Sequence, residues 1–265
     1  MVQIKIERKQ KFLVNTVILG ILMYLFIFNK ILFTPVTAGL ALIYLIVSIY
    51  IVHYPNLTLK TLPISVILPL SLTVGSFYVL RYFPNLTFLF KIGLILGYSA
   101  LYYVMSLVDN IFLVVNDRQE LIPLYRVAVT WSHILLVVVA IPFYAGIYKL
   151  PINSLIQNLI IFFASCVFCF YVIWAGRYDK GLKNIKVGEG ILLVLFSSFI
   201  VLGMTTAVSF IPSEAFMRAL LISSTLMFVL NYSVTGYLKN EIHKKIIFEY
   251  ISIVILFFIL TLIFD

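Results

Sequence analysis

Apolar runs, each about as long as a bilayer-spanning helix, recur from one end of the chain to the other. A helix needs roughly 20 apolar residues to cross a hydrocarbon core of ~30 Å, whereas a membrane barrel shows short alternating segments. Nine runs of the helical kind can be delimited: Phe12–Phe28, Pro35–Val52, Leu62–Leu80, Phe88–Val115, Leu121–Tyr148, Ile152–Trp174, Ile191–Ile211, Ala215–Tyr237 and Ile246–Phe264. The sequence therefore predicts an all-α, polytopic transmembrane helical bundle of nine spans.

The composition leaves little material outside these spans. Of the 265 residues, 63% are hydrophobic and 11% are charged, whereas a soluble chain carries about 25% charged residues. The longest predicted loop, residues 175–190, is too short to be a domain. We therefore expect residues 1–265 to form a single integral membrane domain, whose activity comes from the spans and their connections.

The distribution of basic residues predicts how the chain is threaded. If the amino terminus is inside, 14 of the 19 Lys and Arg residues lie on the cytoplasmic side. The remaining five lie outside: Lys30, Arg81, Lys91, Lys149 and Arg218. Merging or adding one span would reverse every later loop and remove this bias. We predict an inside amino terminus, an outside carboxyl terminus and a multi-pass protein of the plasma membrane.

The net charge of +9 follows the threading and does not indicate a nucleic-acid partner. The loop after the sixth span carries a basic residue at every third position: Arg177, Lys180, Lys183 and Lys186. Because anionic head groups attract such clusters at the cytoplasmic surface, we expect membrane lipids to be the partners there.

Motifs for enzymatic chemistry are sparse. The chain has no serine elbow and no His/Glu set with metal-binding spacing, and its three histidines are scattered. Cys166 and Cys169 form a Cys-x-x-Cys pair, but they lie past the middle of an apolar span rather than at an accessible helix start. This placement favours small buried side chains over redox chemistry. We expect no cofactor and no metal.

Charged and imidazole side chains lie within the apolar runs on both sides of one polar turn, residues 116–120. In an antiparallel helical hairpin about that turn, Asp109 and Arg126 would lie at similar heights, each about two helical turns away. An isolated charge at mid-bilayer costs about 2.5–3.5 kcal/mol, so the two groups are expected to pair. Alternatively, both lie near the cytoplasmic interface, where Arg126 reaches out to the surface and Asp109 meets water.

The candidate polar site consists of Asp109, Asn110, Arg126, Thr130 and His133. Thr130 and His133 follow Arg126 at i+4 and i+7, on the same helix face and progressively deeper. His133 either donates a hydrogen bond to a carbonyl or serine oxygen, or carries protons along a water-filled path.

Two further spans carry polar residues that are candidates for cavity lining. Ser71 and Thr73 follow the bend expected at Pro69 in the third span, and Ser224 and Asn231 lie on the eighth. Small and hydroxylated residues also serve close helix packing, so packing is the alternative for all four. At the start of the eighth span, Ser213 predicts a helix cap, and Glu214 with Arg218 predicts an ion pair.

The residues Asp109-Asn110-Ile111-Phe112, with Leu124-Tyr125-Arg126, resemble a stretch in a family of uncharacterised multi-spanning membrane proteins of bacteria. The resemblance covers the segment from Asp109 to His133. It supports this segment as the focal point and implies no activity. From the economy of the chain we expect the membrane to be a bacterial plasma membrane.

Three functions remain open from the sequence. The first is a transporter of a small solute, lipid or ion, with a water-accessible site between the fourth and fifth spans. The second is a structural or assembly membrane protein whose polar groups only fasten helices. The third is an intramembrane enzyme acting on a lipid-linked substrate, which requires Asp117, Glu120 or Asp179 to converge with Arg126.

Overall fold

The computed structural model describes residues 8–29, 33–58, 61–83, 85–118, 122–176, 187–233 and 244–263. These ranges hold nine α-helices and no strand: α1 Arg8–Phe28, α2 Pro35–His53, α3 Leu62–Tyr82, α4 Phe88–Arg118, α5 Leu124–Tyr148, α6 Ser154–Gly176, α7 Val187–Val208, α8 Ala215–Tyr232 and α9 Lys244–Ile263. The prediction of an all-α polytopic bundle is confirmed, and each helix corresponds to one predicted span.

Eight of these helices, α1 to α8, are long and apolar enough to cross a membrane. Helix α9, Lys244–Ile263, corresponds to the ninth predicted span, and its crossing of the membrane stays a prediction. The protein is therefore a multi-pass integral membrane protein. The orientation of its termini stays a prediction.

Exposed apolar side chains are frequent on the helices. On α1, Phe12 and Met23 are buried, whereas Leu13, Val17 and Ile21 are exposed. Soluble proteins rarely expose large continuous apolar patches, because contact of such surface with water is unfavourable. Acyl chains remove that cost, which is the physical reason that these faces can stay uncovered by protein.

The chain forms two compact units, Met1–Glu120 and Leu121–Asp265. The first unit holds α1 to α4, and the second holds α5 to α9. The expected single membrane domain over residues 1–265 stays a prediction.

Within the first unit, α1 packs against α2 and α4, and α3 packs against the same two helices. Local sequence signals fix the start of α2: the side chain of Thr34 accepts a hydrogen bond from the backbone of Thr37 at 3.2 Å, and Pro35 takes the first helical position. Helix α1 approaches α4 closely at Gly20, where a Cβ atom would lie 2.6 Å from the Oγ atom of Ser99.

Within the second unit, α5 packs on α6 and α8, α7 packs on the same two helices, and α9 packs on α8. Hydroxyl groups join these helices across the apolar interior. Tyr125 donates to the carbonyl of Ala175 at 2.6 Å, and the hydroxyls of Tyr144 and Ser165 lie 2.8 Å apart. Such bonds satisfy buried polar groups where no water is available.

The predicted end of the seventh span and the side-chain contacts predicted at the start of the eighth need correction, whereas the eighth span starts at Ala215 as predicted. Helix α7 ends at Val208 rather than Ile211, because Ile211 precedes Pro212 and the helical conformation is disfavoured before proline. Glu214 occupies the N-cap position of α8 without a side-chain bond. Arg218 bonds the hydroxyl of Ser213 at 3.2 Å and the carbonyl of Ile211 at 2.9 Å, so the predicted cap and ion pair are replaced by these contacts.

Candidate functional site

Four polar side chains from three helices meet in the interior of the first unit. The amide nitrogen of Asn15 on α1 donates to the Oη atom of Tyr102 on α4 at 2.6 Å and to the Oγ atom of Ser48 on α2 at 3.2 Å. The hydroxyl of Tyr44 donates to the amide oxygen of Asn15 at 3.3 Å. We call these four residues the Asn15 cluster. Through the amide of Asn15, the cluster links α1, α2 and α4 by hydrogen bonds.

The buried polar face of α4 continues from this cluster. Ser106 and Asp109 follow Tyr102 at i+4 and i+7, which places the three residues on one side of the helix. All three are buried, and the side chain of Asp109 is only 4% exposed. Helix α4 thus carries a row of polar groups that ends in a buried carboxyl.

His53, at the end of α2, lies beside this row. Its ring nitrogens lie 3.0 Å from the carbonyl oxygen of Ile49 and 3.3 Å from that of Ser106, and its ring centroid is 5.2 Å from that of Phe12. Because carbonyl oxygens only accept, a neutral imidazole can donate to one of them at a time and an imidazolium can donate to both. His53 therefore joins α2 to the polar face of α4.

A cavity of about 320 Å³ lies between α1 and α2, directly beside the Asn15 cluster. We call it the α1–α2 cavity; its lining is mainly aliphatic, includes Asn15, Tyr44 and Ser48, and has Lys11 at one end. Val14 and Ile51, which line it, are exposed, so the cavity opens on the outer surface of α1 and α2. Its size lies within the range of ~300–1,000 Å³ that small-molecule sites occupy.

The sequence-predicted residues of the first unit are Asp109, Asn110, Ser71 and Thr73. Asp109 is buried, and Asn110 and Ser71 are half-buried. Thr73 donates to the carbonyl of Pro69 at 2.8 Å, and its hydroxyl lies 3.0 Å from that of Tyr98. Thr73 therefore bonds back to its own helix one turn earlier and also links α3 to α4.

The sequence-predicted residues of the second unit are Arg126, Thr130, His133, Ser224 and Asn231. Arg126 and Thr130 are exposed, and the Thr130 hydroxyl donates to the Arg126 carbonyl at 3.2 Å. His133 is half-buried. Ser224 and Asn231 bond carbonyls of their own helix, those of Leu221 at 2.7 Å and Met227 at 2.9 Å. The pairing of Asp109 with Arg126 stays a prediction, as does convergence of the five-residue polar site.

Sequence reasoning missed the Asn15 cluster, although one signal marks it. Asn15 is the one side chain between Phe12 and Phe28 that carries an amide, carboxyl, amino, guanidinium or imidazole group. An amide in an apolar helix needs a partner on another helix, because lipid offers none. The signal indicates that a partner exists, but it does not say which residue supplies it.

Several predicted residues lie outside the described residues: the basic loop residues Arg177, Lys180, Lys183 and Lys186, and the acidic residues Glu120 and Asp179. Over the described ranges, no three His, Cys, Asp or Glu residues are grouped so that they could hold a metal ion. Both cysteines are free thiols, with Cys169 buried and Cys166 half-buried.

Comparisons with protein-family models, with curated proteins and with solved structures find no match to this chain.

Proposed function

We propose that this integral membrane protein is a transporter of a lipid or another amphiphilic small molecule. The α1–α2 cavity carries the proposal. Its aliphatic walls suit an acyl or alkyl chain, and the amide and hydroxyl groups of Asn15, Tyr44 and Ser48 suit a polar group of the same molecule. An amphiphile can enter such a cavity from the bilayer, because the exposed Val14 and Ile51 form part of its rim.

The polar residues predicted around the turn after α4 belong to the same proposal. A polar group that crosses the bilayer needs partners along its path, and Asp109, Arg126 and His133 are the ionisable groups of α4 and α5 suited to that task. The row from Tyr102 through Ser106 to Asp109 supports this assignment, since it extends from the cavity-lining Asn15 cluster along α4. Asn110 and Thr130 would complete the lining.

A second candidate is a structural membrane protein whose polar side chains only hold helices together. The saturation of Asn15 favours it: both hydrogens of the amide nitrogen and the amide oxygen already have partners inside the protein. A binding site normally keeps some polar capacity for its ligand, whereas a fastener does not. Water access to the predicted polar site separates the two candidates.

The deciding experiment places single cysteines at positions 109, 126 and 133 in a background with Cys166→Ala and Cys169→Ala. Intact membranes are treated with a membrane-impermeant maleimide. A transporter predicts labelling at all three positions, because a polar path holds water. The structural candidate predicts labelling only after the protein is unfolded in detergent.

Two further cysteine positions calibrate the labelling. Lys9 is exposed near the beginning of α1, and a cysteine there is expected to react in intact membranes. Phe163 is exposed on the apolar surface of α6 and is 64% accessible. A cysteine at 163 is expected to stay unlabelled, because it faces acyl chains rather than water. Labelling at 109, 126 and 133 that is no stronger than at 163 would contradict the proposal.

A further inference from the structure

A second cavity, of about 200 Å³, lies at the opposite end of the first unit from Lys11 and His53. It is bounded by the last turns of α1 and α3, by Phe33 just before α2, and by the first residues of α4. Two cations, Arg81 and Lys91, line it. We call it the Arg81–Lys91 cavity.

The segments that line this cavity contain no acidic residue that could neutralise the two cations. Neither residues 26–36 nor residues 77–95, which supply all of the lining, include an Asp or a Glu. The guanidinium of Arg81 makes no hydrogen bond or ion pair with any residue that the structure describes. The Nζ atom of Lys91 lies 5.8 Å from the ring centroid of Phe28, a cation–π contact that leaves its ammonium hydrogens available to an anion.

The inner wall of the cavity is aromatic. Phe26, Phe33 and Phe77 form a triangle in which every pair of ring centroids is 5.6–5.7 Å apart, and Phe26 and Phe33 line the cavity itself. A soluble anion would leave this apolar wall in contact with water. A molecule with an anionic head and an apolar body covers both features, and it is available where spanning helices end at the membrane surface.

We propose that the Arg81–Lys91 cavity binds the head group of an anionic phospholipid. The phosphate lies between the guanidinium and the ammonium, where Arg81 can donate two parallel hydrogen bonds to its oxygens. The glycerol and the first carbons of an acyl chain lie against Phe26 and Phe33. This site does not depend on the transport proposal, because it lies at the other end of the unit and requires no movement of the lipid.

The test measures lipid binding to the full-length protein in phosphatidylcholine nanodiscs doped with phosphatidylglycerol of the same acyl chains. Retained lipids are counted by native mass spectrometry after release from the nanodisc. We expect wild type to retain phosphatidylglycerol in preference to phosphatidylcholine. Arg81→Gln and Lys91→Gln each weaken that preference about fivefold, since one cation contributes that much attraction near an anionic lipid, and the double variant abolishes it.

Matched variants separate a site from a general charge effect. Lys9→Gln removes the same charge from an exposed position at the other end of the first unit and is expected to leave the preference unchanged. Arg81→Lys keeps the charge and loses the planar pair of donors, so it is expected to restore part of the preference lost in Arg81→Gln.

Three results would overturn the proposal. The first is an equal phosphatidylglycerol preference in wild type and in the double variant. The second is an equal loss in Lys9→Gln and in Arg81→Gln, which would show attraction by net charge alone. The third is full displacement of the lipid by millimolar glycerol 3-phosphate, which would assign the cavity to a water-soluble phosphate instead.

Discussion

The side-chain amide of Asn15 donates a 2.6 Å hydrogen bond to the hydroxyl of Tyr102, which lies 87 positions further along the chain. This bond joins the first helix to the fourth inside an apolar unit. Polar groups in an apolar interior need protein partners, and this bond supplies one to each side chain. The bond therefore contributes both stability and register to the packing of α1 on α4.

Removing either partner is expected to destabilise the first unit. Tyr102→Phe keeps the ring and deletes the hydroxyl, and we expect a loss of about 1 kcal/mol, the size of a hydrogen bond between membrane helices. Asn15→Leu removes three bonds at once and is expected to cost about 1–2 kcal/mol. Unfolding in mixed micelles measures both, and Tyr103→Phe is the control, because Tyr103 is half-buried on the same helix and makes no hydrogen bond to a described residue.

The double variant Asn15→Leu/Tyr102→Phe tests whether the two effects share one bond. If they do, its loss of stability is smaller than the sum of the single losses by about 0.6 kcal/mol or more. Strict additivity of the two losses would contradict the direct bond.

The contact between Gly20 and Ser99 predicts a substitution that can be rescued. A methyl group at position 20 would lie 2.6 Å from the Oγ atom of Ser99 but 3.8 Å from its Cβ atom. Gly20→Ala is therefore expected to destabilise the unit modestly, and Gly20→Val by about 1–3 kcal/mol through overpacking. Adding Ser99→Ala removes the obstructing oxygen and is expected to restore Gly20→Ala to wild-type stability.

Gly97 supplies the comparison, because a Cβ atom there would meet nothing within 4 Å. We expect Gly97→Ala and Gly97→Val to be tolerated in the same unfolding assay. A loss at Gly97 equal to that at Gly20 would show that the effect comes from helix propensity and not from the approach of α1 to α4.

Two tyrosines one turn apart on α5 should respond in opposite ways to loss of the hydroxyl. The Tyr144 hydroxyl lies 2.8 Å from that of Ser165, whereas the Tyr148 hydroxyl is buried without a hydrogen-bond partner among the described residues. Tyr144→Phe is expected to cost about 1 kcal/mol, because it leaves Ser165 without that partner. Tyr148→Phe deletes an unsatisfied group and is expected to be neutral or stabilising.

Thermal unfolding of the two variants in one detergent provides the measurement. The Arg218 guanidinium lies 5.8 Å from the Tyr148 ring centroid, and the phenylalanine ring preserves this contact. A clear loss of stability in Tyr148→Phe would therefore contradict the prediction. It would mean that the hydroxyl bonds to a lipid, detergent or water molecule.

Filling the α1–α2 cavity is expected to stop transport of an amphiphile. Val14→Trp/Val47→Trp places two large side chains on facing walls of the cavity. Vesicles containing the wild-type protein are expected to move acyl-labelled NBD-phosphatidylcholine between leaflets, so that dithionite bleaches more than the outer-leaflet signal. The double variant should reduce this movement about tenfold or more, in keeping with the loss of a ligand pocket.

The control Leu13→Trp/Ile43→Trp adds the same bulk at exposed positions of α1 and α2 that do not line the cavity. It is expected to transport like wild type. Equal inhibition by the two double variants, or no lipid movement with wild-type protein, would count against lipid transport through this cavity.

The starts of α2 and α3 show what local sequence could predict. Both predicted starts match the observed residues, Pro35 and Leu62. Each helix has a proline in its first turn, Pro35 or Pro63, and proline acts within a few residues of the boundary. The end of α7 was wrong by three residues, since Pro212 stops the helix earlier than the apolar pattern does. Such signals are local, so they need no knowledge of the fold.

The candidate site was only partly predictable, because its contacts join residues that are far apart in the sequence. Asp109 can be singled out because a charge in an apolar run is visible in the sequence, and the structure shows its side chain buried. Its membership of a functional site stays a prediction. The Asn15 cluster cannot be singled out in this way, because its partners lie 33 and 87 positions away and no sequence pattern relates them. The i, i+4 spacing predicts an ion pair between Glu214 and Arg218, but the guanidinium of Arg218 instead donates hydrogen bonds to Ser213 and Ile211.

The length and apolar character of the runs are enough to predict the lipid environment and the helices. Runs of this length suit a bilayer, and in lipid each run must form a helix that satisfies its own backbone hydrogen bonds. Tertiary structure alone decided which polar side chains meet. These side-chain contacts depend on how each helix is rotated and how high it lies relative to its neighbours. Apolar packing over many weak contacts sets both, and no single residue encodes them.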